Sequence, residues 1–311
     1  LDKYFNYITF NSNSNFTFKI DRKFKIKNLN IKSDFNVEKL EIDNFFEKNL
    51  FFPKIRKTIK FEKQKINLNY TENKIDIIGF GDIFIQDNLD VINYKISNKN
   101  ENYSFNFDLK IKDNPFLVKS INFKKNIKSN LDLKFKGFLK NKNLVFNEIS
   151  LLENNNAISI KNLELSNDYK INNVESIILN FIDKEKQKNE LIIQKDNKFY
   201  NIIGNSFNAN KLITDLLKSK KAKQQNFFNQ NFDVKIDIKL VNLDRNNIIN
   251  NLKGSISLRD NMINDLNLIS EFSNKQKITF TLKKNNSEKI TTLFSNQAKP
   301  LVDRYKFVKG F

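Results

Sequence analysis

The side chains that most often do chemistry are missing from this chain. Its 311 residues contain no histidine and no cysteine. That removes the commonest general base, the commonest metal ligand and the thiolate nucleophile, and with them the common triads and most zinc sites. Carboxylates remain, but pairs such as Glu38/Glu41 and Asp87/Asp90 fall on polar stretches and read as solvated charge. There is no phosphate-binding glycine loop and no dinucleotide fingerprint. The sequence therefore predicts no catalytic residues, no metal and no cofactor. Without cysteine, the compartment cannot be read from thiol usage.

Charge is the next chemical resource. The formal net charge is +19, and of 54 basic residues only Arg22, Arg56, Arg245, Arg259 and Arg304 are arginine. A protein that clamps phosphates or reads bases favours arginine forks. Lysine, asparagine, isoleucine and phenylalanine dominate instead, as an AT-rich coding sequence would produce. Binding of single strands by aromatic stacking needs lysine and phenylalanine on one face, and here they alternate onto opposite faces, so no nucleic-acid partner is expected. Attraction of lysines to anionic headgroups, about 1 kcal/mol each near such a surface, remains available.

The elements that must position these side chains follow from periodicity. Nearly the whole chain alternates apolar and polar with period two, the pattern of half-buried strands. Phe16, Phe18 and Ile20 open it. Ile66 and Leu68 share a face, and so do Tyr103, Phe105, Phe107 and Leu109, then Leu131, Leu133 and Phe135. Phe232, Val234, Ile236 and Ile238 repeat the pattern, as do Ile278 and Phe280. Turns recur every 8–12 residues or so without helical stretches between, which predicts antiparallel strands. Asn and Asp supply the turns in a chain with only 6 Gly. Gly79 and Gly81 predict a bend within 75–85, and Gly137 a strand end. Pro53 excludes a central strand near it, leaving 44–60 as a short helix or packed loop. A brief helical turn is expected over 246–252.

The period changes at one place. Ala209, Leu212, Ile213, Leu216 and Leu217 are spaced for one face of a helix over 208–218, with Asn208 as N-cap. Polar residues 218–231 read as an exposed linker. A second helix is expected over 296–306, with Ser295 as N-cap and Pro300 near its start.

The wording of this stretch carries a resemblance. Gly204-x-Ser206-Phe207-Asn208-Ala209-x-x-Leu212, a short helix, a polar linker and alternating strands resemble the AsmA-like family of Gram-negative envelope proteins, in particular large members with a DUF3971-type central region. A second segment, Ser295-Asn296-Gln297-Ala298, then Leu301, Tyr305 and Gly310, is similar to the family's C-terminal pattern. Lys299 stands where the family usually has Gly, and Gly310 alone remains of a Gly pair. The resemblance covers about 204–311 by motif and 1–203 by pattern only.

The resemblance implies a mostly β fold: an extended, twisted antiparallel β-groove with two short amphipathic helices. It implies a DUF3971-like β-groove segment over 1–203 and an AsmA-like segment over 204–311, truncated at its C-terminus. It further implies a non-enzymatic, bridge-like transfer of phospholipids or other acyl-chain lipids between inner and outer membranes. The location would be periplasmic, tethered to the inner membrane by an anchor outside this stretch, with membrane-protein partners at either end. Met262 is the only methionine, so Leu1 is not an initiator, and the chain reads as an internal piece. No run of about 18 uncharged apolar residues occurs. Two non-enzymatic rivals remain. A closed β-sandwich scaffold or adhesin-like envelope protein would fill its interior with side chains. An outer-membrane barrel would need aromatic girdles, and the chain has no Trp.

Overall fold

The computed structural model describes residues 5–44, 51–141, 143–197, 199–218, 231–260, 262–285, 288–297 and 299–305. The chain is mostly β, as expected, with two short helices. The strands are β1 (Phe5–Ile20), β2 (Ile26–Asp43), β3 (Thr58–Thr71), β4 (Lys74–Phe84), β5 (Asp90–Lys99), β6 (Asn102–Ile111), the short β7 (Leu117–Val118) and β8 (Phe123–Lys124), β9 (Leu131–Lys140), β10 (Asn143–Glu153) and β11 (Asn156–Leu165). There follow β12 (Ile171–Asn173), β13 (Ser176–Ile182), β14 (Lys188–Asp196), β15 (Phe199–Asn208), helix α1 (Asn210–Lys218), β16 (Phe232–Asn242), β17 (Ile248–Arg259), β18 (Met262–Phe272), β19 (Lys277–Asn285), β20 (Glu288–Ser295) and helix α2 (Lys299–Tyr305).

Two compact units divide the chain. The first holds 1–119, 124–157 and 162–167; the second holds 120–123, 158–161 and 168–311. Gly204 lies inside β15, in register with Leu191 and Ile238, so the sheet runs straight through it.

In the first unit each strand pairs antiparallel with the next, β1 to β6, and then β6 with β9 and β9 with β10. Hairpin turns use the left-handed region. Asn100 and Glu101, both at positive φ, join β5 to β6, the two-residue arrangement whose twist matches the strands. Asn141, Asn154, Asn197 and Asp260 serve other turns at positive φ. Asparagine tolerates that region better than most residues, so the scarcity of glycine is compensated where the sequence indicated.

Several local expectations give way. Gly137 does not end a strand: β9 continues to Lys140, and β10 bulges opposite, between Phe146 and Glu148. A Cβ at Gly137 would meet the Val145 carbonyl oxygen and the Phe105 ring. Gly79 and Gly81 leave β4 in unbroken register with β5, but its register with β3 shifts opposite Gly81, at a bulge between Glu62 and Lys65 where Lys63 takes positive φ. They are small because large side chains lie on them: a Cβ at Gly79 would strike the Tyr94 ring, and one at Gly81 the Gln64 side chain. The helical turn over 246–252 is absent. Asn246 and Asn247 donate to Asp244 Oδ1 in a tight turn, and β17 begins at Ile248. Residues 51–57 are loop, while 45–50 lie outside the described residues.

In the second unit, β13 to β15 and β16 to β20 pair antiparallel in sequence. One neighbour pair differs. β15 and β16 are parallel, Phe199 opposite Asp233 through Asn208 opposite Asn242. A parallel neighbour needs a crossover of a dozen or more residues, and 209–231 supply it, with α1 as its first part. The stretch read as helix and linker is thus the crossover of a β-α-β unit between the antiparallel runs β13–β15 and β16–β20. The sheet is not closed into a barrel.

Candidate functional site

Register decides which side chains meet. In the first unit it lines up Phe35, Ile66, Gly79, Tyr94, Phe107, Phe135 and Ile149 across seven strands. The adjacent row is Leu68, Ile77, Ile96, Phe105, Gly137 and Phe146. Beyond it lie Phe16, Ile31, Tyr70, Ile75, Tyr103, Leu139 and Leu144, and on the other side Ile92, Leu109, Leu133 and Leu151. The residues that sequence spacing placed together, Phe16, Ile66, Leu68, Tyr103 to Leu109 and Leu131 to Phe135, therefore share one continuous apolar face. Phe18 stacks on Phe16 at 6.2 Å, and Ile20 is opposite Ile26.

An aromatic cluster sits at its centre. Phe107 stacks on Phe135 at 5.0 Å and on Tyr94 at 6.3 Å, and Phe105 meets Phe146 edge-on at 5.7 Å. Tyr94 was missed from sequence although it alternates with Ile92 and Ile96; its ring fills the space over Gly79. Desolvation there pushes the Tyr94 phenol above the usual tyrosine range.

Exposure on this face changes along the strands. At one end Phe16 is 65% exposed, Tyr103 46% and Leu139 38%. The aromatic cluster is partly exposed. At the other end Ile111 and Leu131 are fully buried, with Leu109, Leu151 and Ile83 close to it. Leu109 and Leu131 are thus core, not open lining, whereas Phe105, Phe107 and Phe135 keep accessible surface.

What closes the buried end is a plug of loops with satisfied polar groups. Phe116 is buried between Phe51, stacked at 5.9 Å, and Phe52, edge-on at 5.4 Å. Buried Gln86 donates to Pro115 O at 2.8 Å and accepts from Lys54 N–H at 3.0 Å. Asp90 is wholly buried; it accepts from Lys112 N–H and Asn114 Nδ2, and burial raises its pKa. Glu153 accepts from Asn126 N–H and Ser129 Oγ. The buried Lys125 ammonium donates to Lys112 O and Asn126 O. These charges tie turns together. Among the described residues no group of His, Cys, Asp or Glu could hold a metal ion.

The opposite face of the unit is largely charged, although Ile78 and Phe80 are exposed on it, Phe80 under the Lys65 ammonium. Lys39 and Lys60 both pair with Glu41, at 2.9 and 3.2 Å, and Lys134 pairs with Asp108 at 3.4 Å. These exposed pairs contribute little stability but keep lysine on one side of the sheet.

The second unit repeats the apolar face more tightly. One row is Ile177, Ile193, Ile202, Ile236, Gly254, Leu268, Phe280 and Leu293. The flanking rows contain Val234, Ile256, Leu266 and Leu282 on one side and Leu179, Leu191, Gly204 and Ile238 on the other. Phe232 lies opposite Leu258 and Ile278 opposite Ser270. Val234, Ile238, Ile278, Leu191 and Leu266 are buried, so much of this face is core. Its outer side is not wholly polar: Ile178, Ile192 and Ile203 form an exposed row, and a shallow depression there is lined by Glu190, Asn205, Asp237 and Lys239.

The motif residues at 204–212 have structural work. Gly204 sits beside a β15 bulge at Asn205, where a Cβ would meet Leu191 and Glu190 O. Ser206 faces Glu190, and Phe207 faces Val241. Asn208 caps α1 by accepting Asn210 N–H at 3.1 Å. Its Nδ2 donates to Asp183 at 2.6 Å and Glu185 at 3.1 Å, and its N–H donates to Asn189 Oδ1 at 2.9 Å. Ala209 is buried, but Leu212 is half-exposed, so it does not belong to the packed face; the Leu216 and Leu217 side chains lie outside the described residues. At the second motif, Ser295 ends β20 and exchanges hydrogen bonds with Gln297, Asn296 N–H donates to Lys277 O, and Leu301 is buried in α2. α2 begins at Lys299, later than expected, and Ala298 and Gly310 lie outside the described residues.

Comparison with protein families, curated proteins and solved structures returns no match.

Proposed function

We propose that this chain is part of an AsmA-like envelope protein whose first-unit apolar face carries acyl chains of phospholipids between the inner and outer membranes, without catalysis. The observation that supports this reading is the partly exposed Phe105/Phe107/Phe135 cluster on a face that is apolar across seven strands, with the lysines on the other side. An acyl chain of about 16 carbons leaving a bilayer exposes roughly 12 kcal/mol of apolar surface, at about 0.8 kcal/mol per CH₂. A face of this kind offsets that cost along its length while the headgroup stays in water. The periplasm, an inner-membrane tether and partner proteins at both membranes belong to the same proposal.

The burial of Val234, Ile238 and Leu266 favours a second reading for the other unit: a closed structural core of a scaffold-like envelope protein. Native mass spectrometry of the chain purified from a Gram-negative host, with lipid extraction in parallel, tests the transfer reading. Transfer predicts co-purifying phospholipid that is lost in Phe105→Lys and Phe107→Lys variants that remain folded. A lipid-free protein, or lipid retained in both variants, would refute it.

A further inference from the structure

Within the aromatic cluster of the first unit, Tyr94 alone carries a polar group. It stands between Gly79 on one side and Phe107 on the other, with Ile66 beyond the glycine. Its ring lies over Gly79, where an added Cβ would strike both Cζ and the hydroxyl oxygen. The hydroxyl is thus carried across the glycine, onto the apolar face. Phenylalanine would fill that space equally well and bury no polar atom.

That hydroxyl has lost water without gaining a hydrogen bond among the described residues; burial is the sole influence on the phenol, and it raises the pKa. A buried tyrosine hydroxyl usually finds a partner, and leaving one without carries a desolvation cost. Gln64, reaching over Gly81 from β3, is not that partner. Its Nε2 donates to Asp82 O at 2.7 Å, and its Oε1 is enclosed and bonds nothing. Tyr94 nonetheless keeps accessible surface, as do Phe107 and Phe135 beside it. A donor at an accessible apolar surface is placed for an acceptor that arrives with a ligand. That acceptor must be neutral. The apolar rows of this face hold no charged side chain, so a phosphate or carboxylate brought to Tyr94 would be desolvated with no cation to meet it. The neutral oxygen that a phospholipid carries at the head of each acyl chain is the ester carbonyl.

We propose that Tyr94 is a specificity-determining residue of the acyl-carrying face: its hydroxyl donates a hydrogen bond to an acyl ester carbonyl, so the face takes ester-linked lipids in preference to ether-linked ones. This selectivity presupposes the lipid reading above. Gly79 belongs to the same device, because a larger residue there would displace the hydroxyl. An ether lipid of equal chain length buries the same apolar surface but lacks the carbonyl.

Competition at a fixed headgroup tests it. The full chain is incubated with vesicles holding equal amounts of dipalmitoyl phosphatidylcholine and its dihexadecyl ether analogue, and the bound lipid is extracted and quantified by mass spectrometry. A zwitterionic headgroup keeps the attraction of lysines for anionic lipid out of the comparison. Wild type should enrich the ester form about fivefold, the worth of one neutral hydrogen bond. Tyr94→Phe keeps the ring on Gly79 and should bind both forms equally. Tyr103→Phe, which removes a hydroxyl from the exposed end of the same face, should keep the enrichment. Lipid bound by wild type with no ester preference, a preference that survives Tyr94→Phe, or one lost equally in Tyr103→Phe would overturn the proposal and leave lipid carriage standing. A wild-type chain that binds neither lipid would overturn both.

Discussion

Asn208→Ala tests the link between strand and helix in the second unit. Asn208 is 7% exposed, and Asp183 is 5% exposed. Asp183 Oδ1 accepts from Glu185 N–H and Gln187 N–H at 2.8 and 3.0 Å. Its Oδ2 depends on Asn208 at 2.6 Å, since its other donor, Asn189, is at 3.5 Å. Truncation to alanine removes a hydrogen bond to a buried charge, worth about 1.5–3 kcal/mol, and the cap on α1, worth about 1 kcal/mol. The sum is about 3 kcal/mol, or roughly a hundredfold in an opening equilibrium at about 1.4 kcal/mol per tenfold. Hydrogen exchange reads this locally. Amides of 211–214 and of the 183–189 turn should exchange about a hundredfold faster, with first-unit amides unchanged. Asn208→Asp would set a third carboxylate beside Asp183 and Glu185 and should cost more at neutral pH. Less than about a threefold change in Asn208→Ala would show that the cap and the buried bond do not hold α1 in place.

Two further predictions concern the first unit. Gly79→Val and Gly137→Val should each destabilise it by about 1–3 kcal/mol, the overpacking range, because the Tyr94 ring and the Val145 carbonyl occupy the needed space; urea midpoints equal to wild type would contradict this. Burial holds the Lys125 ammonium below the usual lysine range, against the opposing pull of Glu153, Asp113 and Asp90. Between that lowered value and the unfolded value of about 10.4, the unfolded chain binds more protons than the folded one, so stability rises with pH. Wild type should gain on Lys125→Met in urea denaturation from about pH 8 to pH 10; parallel curves would rule the effect out.

Much was legible in sequence because strand periodicity is local. Alternation of Tyr103, Phe105, Phe107 and Leu109 assigns them to one face whatever their neighbours are, since successive side chains point to opposite sides. The break in period at Ala209 and Ile213 placed α1 for the same reason, and Asn208 was identifiable as its cap. The asparagine-rich turns were equally readable, because positive φ is a property of single residues.

The glycines misled. Gly79 and Gly137 look like punctuation, yet each lies mid-strand under an aromatic ring from the next strand, and a close approach across strands leaves no trace along one. Leu212 fitted the helix pattern but stays half-exposed, because spacing defines a face and only packing decides whether anything covers it.

By itself, then, the sequence determined an all-but-continuous β chain with its apolar and lysine-bearing residues on opposite faces, a helix after Asn208, and no histidine or cysteine chemistry. Tertiary structure alone decided which strands are neighbours, that β15 and β16 run parallel through the α1 crossover, and that Leu131 is sealed while Phe107 keeps accessible surface. The physical reason is that side-chain direction is set by local dihedrals. Register, crossover and burial depend on contacts between residues far apart in the chain, and period two is the same whichever strand lies alongside.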